Sequence, residues 1–114
     1  MVRDPSAWDI EYEGWIDKQP DCTCGVFTVT QEGEAPQRVE VMTTVQIESM
    51  LAREMGKEAL SDDERSRLLE GAGRRLISEC IEQEGRVRPM LYLTGQIFRS
   101  RGAERRLLKE CGLL

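Results

Sequence analysis

Arg86, Arg88, Arg99, Arg101, Arg105, Arg106 and Lys109 crowd the C-terminal part of this chain, where Glu104 and Glu110 are the only acids. Guanidinium forks at this density suit phosphate or carboxylate oxygens. At helical spacing Arg105, Arg106 and Lys109 fall opposite Leu107, Leu108 and Cys111, and Tyr92 and Phe98 supply rings on which bases could stack. Two chemistries follow. If the guanidiniums are free the segment is a nucleic-acid contact; if they are paired it docks acidic side chains of this chain, of a second copy or of another protein. A net charge of −5 and a pI near 4.9 place nucleic acid second.

Cys22-Thr23-Cys24 is the most metal-like spacing. On a strand both thiols project to one face, where Cys80 or Cys111 could complete a soft-metal or redox site. Structural zinc wants four ligands, usually as two Cys-x-x-Cys or Cys/His pairs, and no second pair follows. Packed thiols are therefore the preferred reading, with Cys80 and Cys111 serving as small hydrophobes in helical stripes. Asp9, Glu11 and Glu13 line one face of an alternating segment, where a row of acids is a solvated face that also discourages edge pairing. The chain contains no histidine, so the commonest general base and metal ligand is missing. Phosphate-binding glycine loops and nucleophile–base motifs are missing as well. These absences point to a non-enzymatic protein that needs no cofactor.

The elements that would carry these residues are legible from period and punctuation. Trp8 to Glu13 alternates apolar and acidic, a half-buried strand running through Trp15 and Ile16 with Gly14 as a possible bulge, and ending in a polar turn from Asp17 through Pro20 to Asp21. Cys22–Gln31 is a second strand, with Phe27 and Val29 on one face and Val26 and Thr28 on the other, and Arg38–Met42 a third. Three strands with short turns make an antiparallel meander. Thr43 or Thr44 caps a short helix with Ile47, Met50, Leu51 and Met55 on one face; Glu54 near the centre of that stripe is either a snorkelling carboxylate or a buried acid held by an arginine.

Ser61-Asp62-Asp63-Glu64 is a capping box opening a helix of about 23 residues that Gly85 stops. Its apolar band, Leu68, Leu69, Ala72, Gly73, Leu76, Ile77, Cys80 and Ile81, is wider than one neighbour requires, and predicts packing on the sheet and also on another helix or a second copy. Beyond Pro89, residues 90–93 are apolar on both faces, Thr94-Gly95 permits a hairpin into 96–99 with a helix as the competing reading, and Ala103–Cys111 forms a last short helix stopped by Gly112.

The 114 residues make one α+β domain: a β meander over 1–43, a helical pair over 44–85 and a basic segment over 86–114. Residues 1–85 hold 9 Lys+Arg against 19 Asp+Glu, a balance of −10, and residues 86–114 hold 7 against 2, a balance of +5. No apolar run approaches a membrane span, and Met1-Val2-Arg3-Asp4-Pro5 has no signal-peptide core behind it, so a cytoplasmic location is expected. The function expected is binding, by a homo-oligomer, an accessory subunit or a regulator. The alternatives are a nucleic-acid regulator working through the basic segment and a thiol or metal protein working through Cys22 and Cys24.

Overall fold

The computed structural model describes residues 3–19 and 21–114. Its sheet holds four strands in the order β1-β2-β3-β4: β1 (Trp8–Gln19), β2 (Cys22–Gln31), β3 (Gln37–Thr44) and β4 (Met90–Tyr92). Helices α1 (Val45–Glu54) and α2 (Asp62–Glu84) cover one face of it, and α3 (Ala103–Glu110) packs on those two helices. The fold is α+β, as the periodicities require.

The first three strands form the expected antiparallel meander. Gly14 adopts φ 113° and the β1–β2 register shifts between Tyr12 and Gly14, so the bulge lies where the glycine allows it. The bulge also resets the phase of β1. Ile10 and Tyr12 pair with Val29 and Phe27 before it, and Trp15 pairs with Gly25 after it, which keeps all three on the helix side although their spacing changes parity. Two expectations are corrected here. Asp17, Lys18 and Gln19 continue β1 instead of turning, because Asp17 and Gln19 pair with Thr23 and Cys22; the expected turn at Pro20 lies outside the described residues. The sheet is mixed and not a three-stranded antiparallel one, since residues 90–92 join β3 in parallel after the crossover through α1 and α2. The Pro89 carbonyl accepts from Glu40 N–H and Leu93 N–H donates to the Met42 carbonyl, so the short strand is pinned at both ends. No hairpin follows: Gly95–Phe98 forms a single 3-10 turn.

α2 begins and ends where its sequence signals stand. The Ser61 hydroxyl accepts from Glu64 N–H, the Glu64 carboxylate accepts from Ser61 N–H, and Gly85 takes the left-handed conformation at φ 70°. The breadth of its apolar band is accounted for within one chain. Ile77 and Ile81 pack on Phe27, Val29, Val39 and Val41 of the sheet, while Leu68 and Ala72 join Leu51, Ala52, Leu107, Leu108 and Cys111 of α1 and α3. Of the two neighbours the wide stripe allowed, the second is another helix of the same chain, so the stripe supplies no evidence for a second copy. Among the described residues no helix is long and apolar enough to cross a membrane.

Candidate functional site

Two constellations stand out: an ion-pair cluster between α1, α2 and the sheet, and a sheet face that no helix covers among the described residues. The first is centred on Glu48, on the first turns of α1 and 6% exposed. Its carboxylate accepts from Thr23 Oγ1 at 2.5 Å and from Arg65 Nε at 2.7 Å. Arg65 in turn lies 4.9 Å from the Trp15 ring centroid and donates to Asp62 at 3.1 Å. A buried acid gripped by an arginine is therefore present, but at Glu48. Glu54, the position expected for it, has an exposed carboxylate 4.0 Å from Arg105. The α1 period places Glu48 with Leu51 and Ala52 on the buried side, and the partners that neutralise it come from β2 and α2. Both oxygens are satisfied from within the chain, which makes the cluster a clamp joining β1, β2, α1 and α2, with no group left over for a substrate.

The second constellation follows from the strand register. Gly25 meets Leu69 and Phe27 meets Gly73, so the odd-numbered residues of β2 face α2 and the even-numbered ones face away. Cross-strand partners share a face. The far side therefore carries one row through all four strands, Ile16–Cys24–Met42–Tyr92, and beside it the row Gly14–Val26–Glu40–Met90. Further along the strands the row becomes Glu11–Thr28–Arg38, then Asp9 opposite Thr30. One half of this face is apolar and the other charged. Ile16 is 40%, Met90 41% and Tyr92 56% exposed, with no helix above them among the described residues. Glu40 sits between the halves, its carboxylate held below the usual range by Arg38 at 3.0 Å and Lys18 at 3.2 Å.

The basic segment is divided by the fold. Arg88 lies 2.9 Å and Arg86 3.7 Å from Glu84 at the end of α2, and the pairing with Arg88 leads in holding the Glu84 carboxylate below its ordinary value. Arg105, Arg106 and Lys109 ride on α3, which packs against the first half of α2 through Cys111 and Gly71. Gly71 and Glu84 are separated by about 20 Å of helix at 1.5 Å per residue. Arg106 donates to the Arg101 carbonyl at 3.0 Å, and Arg99, Arg101, Arg106 and Lys109 have no carboxylate partner among the described residues. The seven cations thus form two groups and not one continuous patch.

All four cysteines are free thiols. Cys22 and Cys24 do share the uncovered face, but Cys80 lies in α2 and Cys111 follows α3, and no group of three His, Cys, Asp or Glu able to hold a metal forms among the described residues. Burial raises the Cys24 and Cys80 thiols above their ordinary value and pushes Cys111 up to about 11, which suits packing more than metal binding. Comparison with protein-family models, with curated proteins and with solved structures gives no match.

Proposed function

We propose that this is a small non-enzymatic interaction protein of the cytoplasm that self-associates through the uncovered sheet face. The observation that supports it is the row Ile16–Cys24–Met42–Tyr92 across four strands, with no helix above it among the described residues and with Ile16 and Tyr92 exposed on either side of the buried Cys24. Sheets of this kind bury such a face by stacking on another sheet at about 10 Å. A second copy is the occupant that the charges favour. A two-fold axis running along the strands keeps each row opposite its own copy and reverses the strand order, laying β1 over the partner's β4. β1 carries the exposed acids Asp9, Glu11 and Glu13, and Arg38, Arg86 and Arg88 near β3 and β4, although paired with Glu40 or Glu84, keep at least 62% of their side chains exposed and have further N–H groups to offer. The opposed charges then meet twice across the axis.

Four strands about 4.8 Å apart and some eight residues at about 3.3 Å give a footprint of roughly 500 Å² per copy. That is the low end for a specific contact, so the dimer is reversible. Sedimentation velocity over the micromolar to millimolar range tests the reading: a concentration-dependent monomer–dimer equilibrium is expected, abolished by Ile16→Lys. A single monomeric species throughout, or a dimer indifferent to Ile16→Lys, overturns it.

A nucleic-acid contact is the alternative, favoured by the exposed Tyr92 ring and by the arginines without carboxylate partners. It calls for salt-sensitive retention on RNA or DNA that falls when Arg105 and Arg106 become alanine. Lack of retention at low salt eliminates it.

A further inference from the structure

β1 is an edge strand, and among the described residues no further strand lies along the outer side of Trp8 to Glu13. We infer that this edge takes up an extended segment of another protein as a fifth strand, a segment in which apolar and basic side chains alternate. The inference goes beyond self-association, because the added strand lies in the plane of the sheet and leaves its open face free.

The backbone supplies the first observation. Residues of an antiparallel strand alternately turn both polar groups toward the neighbour and away from it. Two bonds fix which set of β1 turns away. Trp8 N–H donates to the Pro5 carbonyl, and the Ile10 carbonyl accepts from the Arg74 guanidinium of α2 at 2.7 Å. Neither group is spent on β2, and Tyr12, two residues further on, belongs to the same set. Outside the sheet ladder, the N–H groups of Ile10 and Tyr12 and the carbonyls of Trp8 and Tyr12 have no partner among the described residues. Arg74 yields readily, since its side chain is 44% exposed and retains Glu70 at 3.2 Å when it lets go of the carbonyl. Strand edges are ordinarily closed by lysine, by proline or by a bulge. Trp8 to Glu13 contains neither residue, and the bulge at Gly14 comes only after it.

The side chains define what fits. On the helix side Trp8, Ile10 and Tyr12 are only partly buried, whereas Phe27, Val29 and Val39 are at most 1% exposed. The core is open at this flank, and apolar residues of an added strand close it. On the other side Asp9, Glu11 and Glu13 are exposed and form no ion pair among the described residues. Directly opposed charges on paired strands attract when unlike and repel when like. β1 of a second copy is therefore excluded: laid along this edge in either direction with its apolar residues toward α2, it sets acid beside acid. Lysine or arginine at alternate positions meets the acids instead, and the balance of −10 over residues 1–85 favours the same partner. Main-chain bonds supply affinity in such strand addition and the alternate side chains supply specificity.

The probe is a short peptide, blocked at both ends, in which lysine alternates with valine; the same peptide with glutamate for lysine is the charge control. Both tryptophans of the chain, Trp8 and Trp15, stand on β1, so their fluorescence reads the binding. Saturable binding of the lysine peptide is expected, with amide exchange at Ile10 and Tyr12 slowed at least tenfold and no binding of the glutamate peptide. N-methylation keeps every charge and removes main-chain donors. Applied to one alternate set of peptide residues it should weaken binding at least tenfold, and applied to the other set it should leave binding intact, because only one set faces β1. Glu11→Lys with Glu13→Lys, both at exposed positions, should reverse the preference to the glutamate peptide. Ile16→Lys, beyond the bulge, leaves peptide binding intact, which separates this edge from the dimer contact. Absence of saturable binding, unchanged exchange at Ile10 and Tyr12, an equal response to the two methylated sets, or an unaltered preference in the charge-reversed variant overturns the inference.

Discussion

On the helix side of the sheet Phe27, Val29, Val39 and Val41 are at most 1% exposed, while on the far side Ile16, Met90 and Tyr92 keep 40% or more of their surface. The two faces share strands, register and bulge and differ only in what lies above them. On the covered side close packing is the rule. A Cβ on Gly73 would stand 2.4 Å from two atoms of the Phe27 ring, and one on Gly25 would stand 3.1 Å from Leu69 Cβ. On the open side Cys24 reaches 0% exposure through its own strand neighbours, and the outer ends of the row stay bare. The covered face therefore carries the stability of the fold, and the open face carries what is left for binding. Substitutions on the two sides should separate into effects on folding and effects on association.

The largest effect is expected at the clamp beneath the helices. Glu48→Ala removes the acceptor of the buried Thr23 hydroxyl and one of the two carboxylates that hold Arg65, leaving it Asp62, so a loss of about 2–3 kcal/mol should appear in urea denaturation. Replacing Glu48 and Arg65 together by leucine and methionine should recover part of that loss, because apolar packing then fills the site while the Thr23 hydroxyl stays without its acceptor. Next comes Gly73→Ala. Helix propensity alone predicts a gain of about 1 kcal/mol in the middle of α2. The Phe27 ring is fully buried and cannot yield, so overpacking of about 1–3 kcal/mol should win and the variant should unfold at lower urea. A stabilised Gly73→Ala protein would show that the covered face is looser than its packing indicates.

Much of the covered face is legible along the chain because its signals are local. The capping box at Ser61–Glu64, the stop at Gly85 and the alternation of Trp8 to Tyr12 each depend on residues a few positions apart, and each stands where the sequence places it. The features that escape such reading are those whose partners are distant. β4 is three residues long and gains its identity from a parallel neighbour reached through two helices, so 90–92 carries no period of its own. Glu48 is one polar residue on an apolar side, and only Thr23 and Arg65, separated from it by 25 and 17 positions, explain why it is inside. The open face is hidden for a related reason. Alternation shows that a strand has two sides but not that the helices all choose the same one. Thr43 and Thr44 read in the sequence as equal candidates for the α1 cap, and the role falls to Thr44 because Thr43 is turned inward beside Thr23.

The smaller predictions sharpen the contrast from the open and exposed sides. Ile16→Lys should change urea stability of the monomer by no more than about 0.5 kcal/mol, since the side chain already meets water, while removing the concentration dependence of sedimentation. A large loss of monomer stability would instead place Ile16 in the core. The last effect belongs to the start of α2. Lys57 and the Ser61 N–H hold the Glu64 carboxyl down at about 2, against an ordinary value of 4.5. Because the folded value is the lower one, the carboxylate contributes stability that is complete above about pH 4.5 and is lost as pH falls toward 2. Lys57→Met removes the leading cause. Lys57 is an exposed partner, so the difference between the variant and the parent should be about 0.5–1 kcal/mol at neutral pH, shrink through the window between 4.5 and 2, and vanish below it. A difference that persisted in acid would trace the effect to the packing of the lysine stem on the α1–α2 connection and not to its charge.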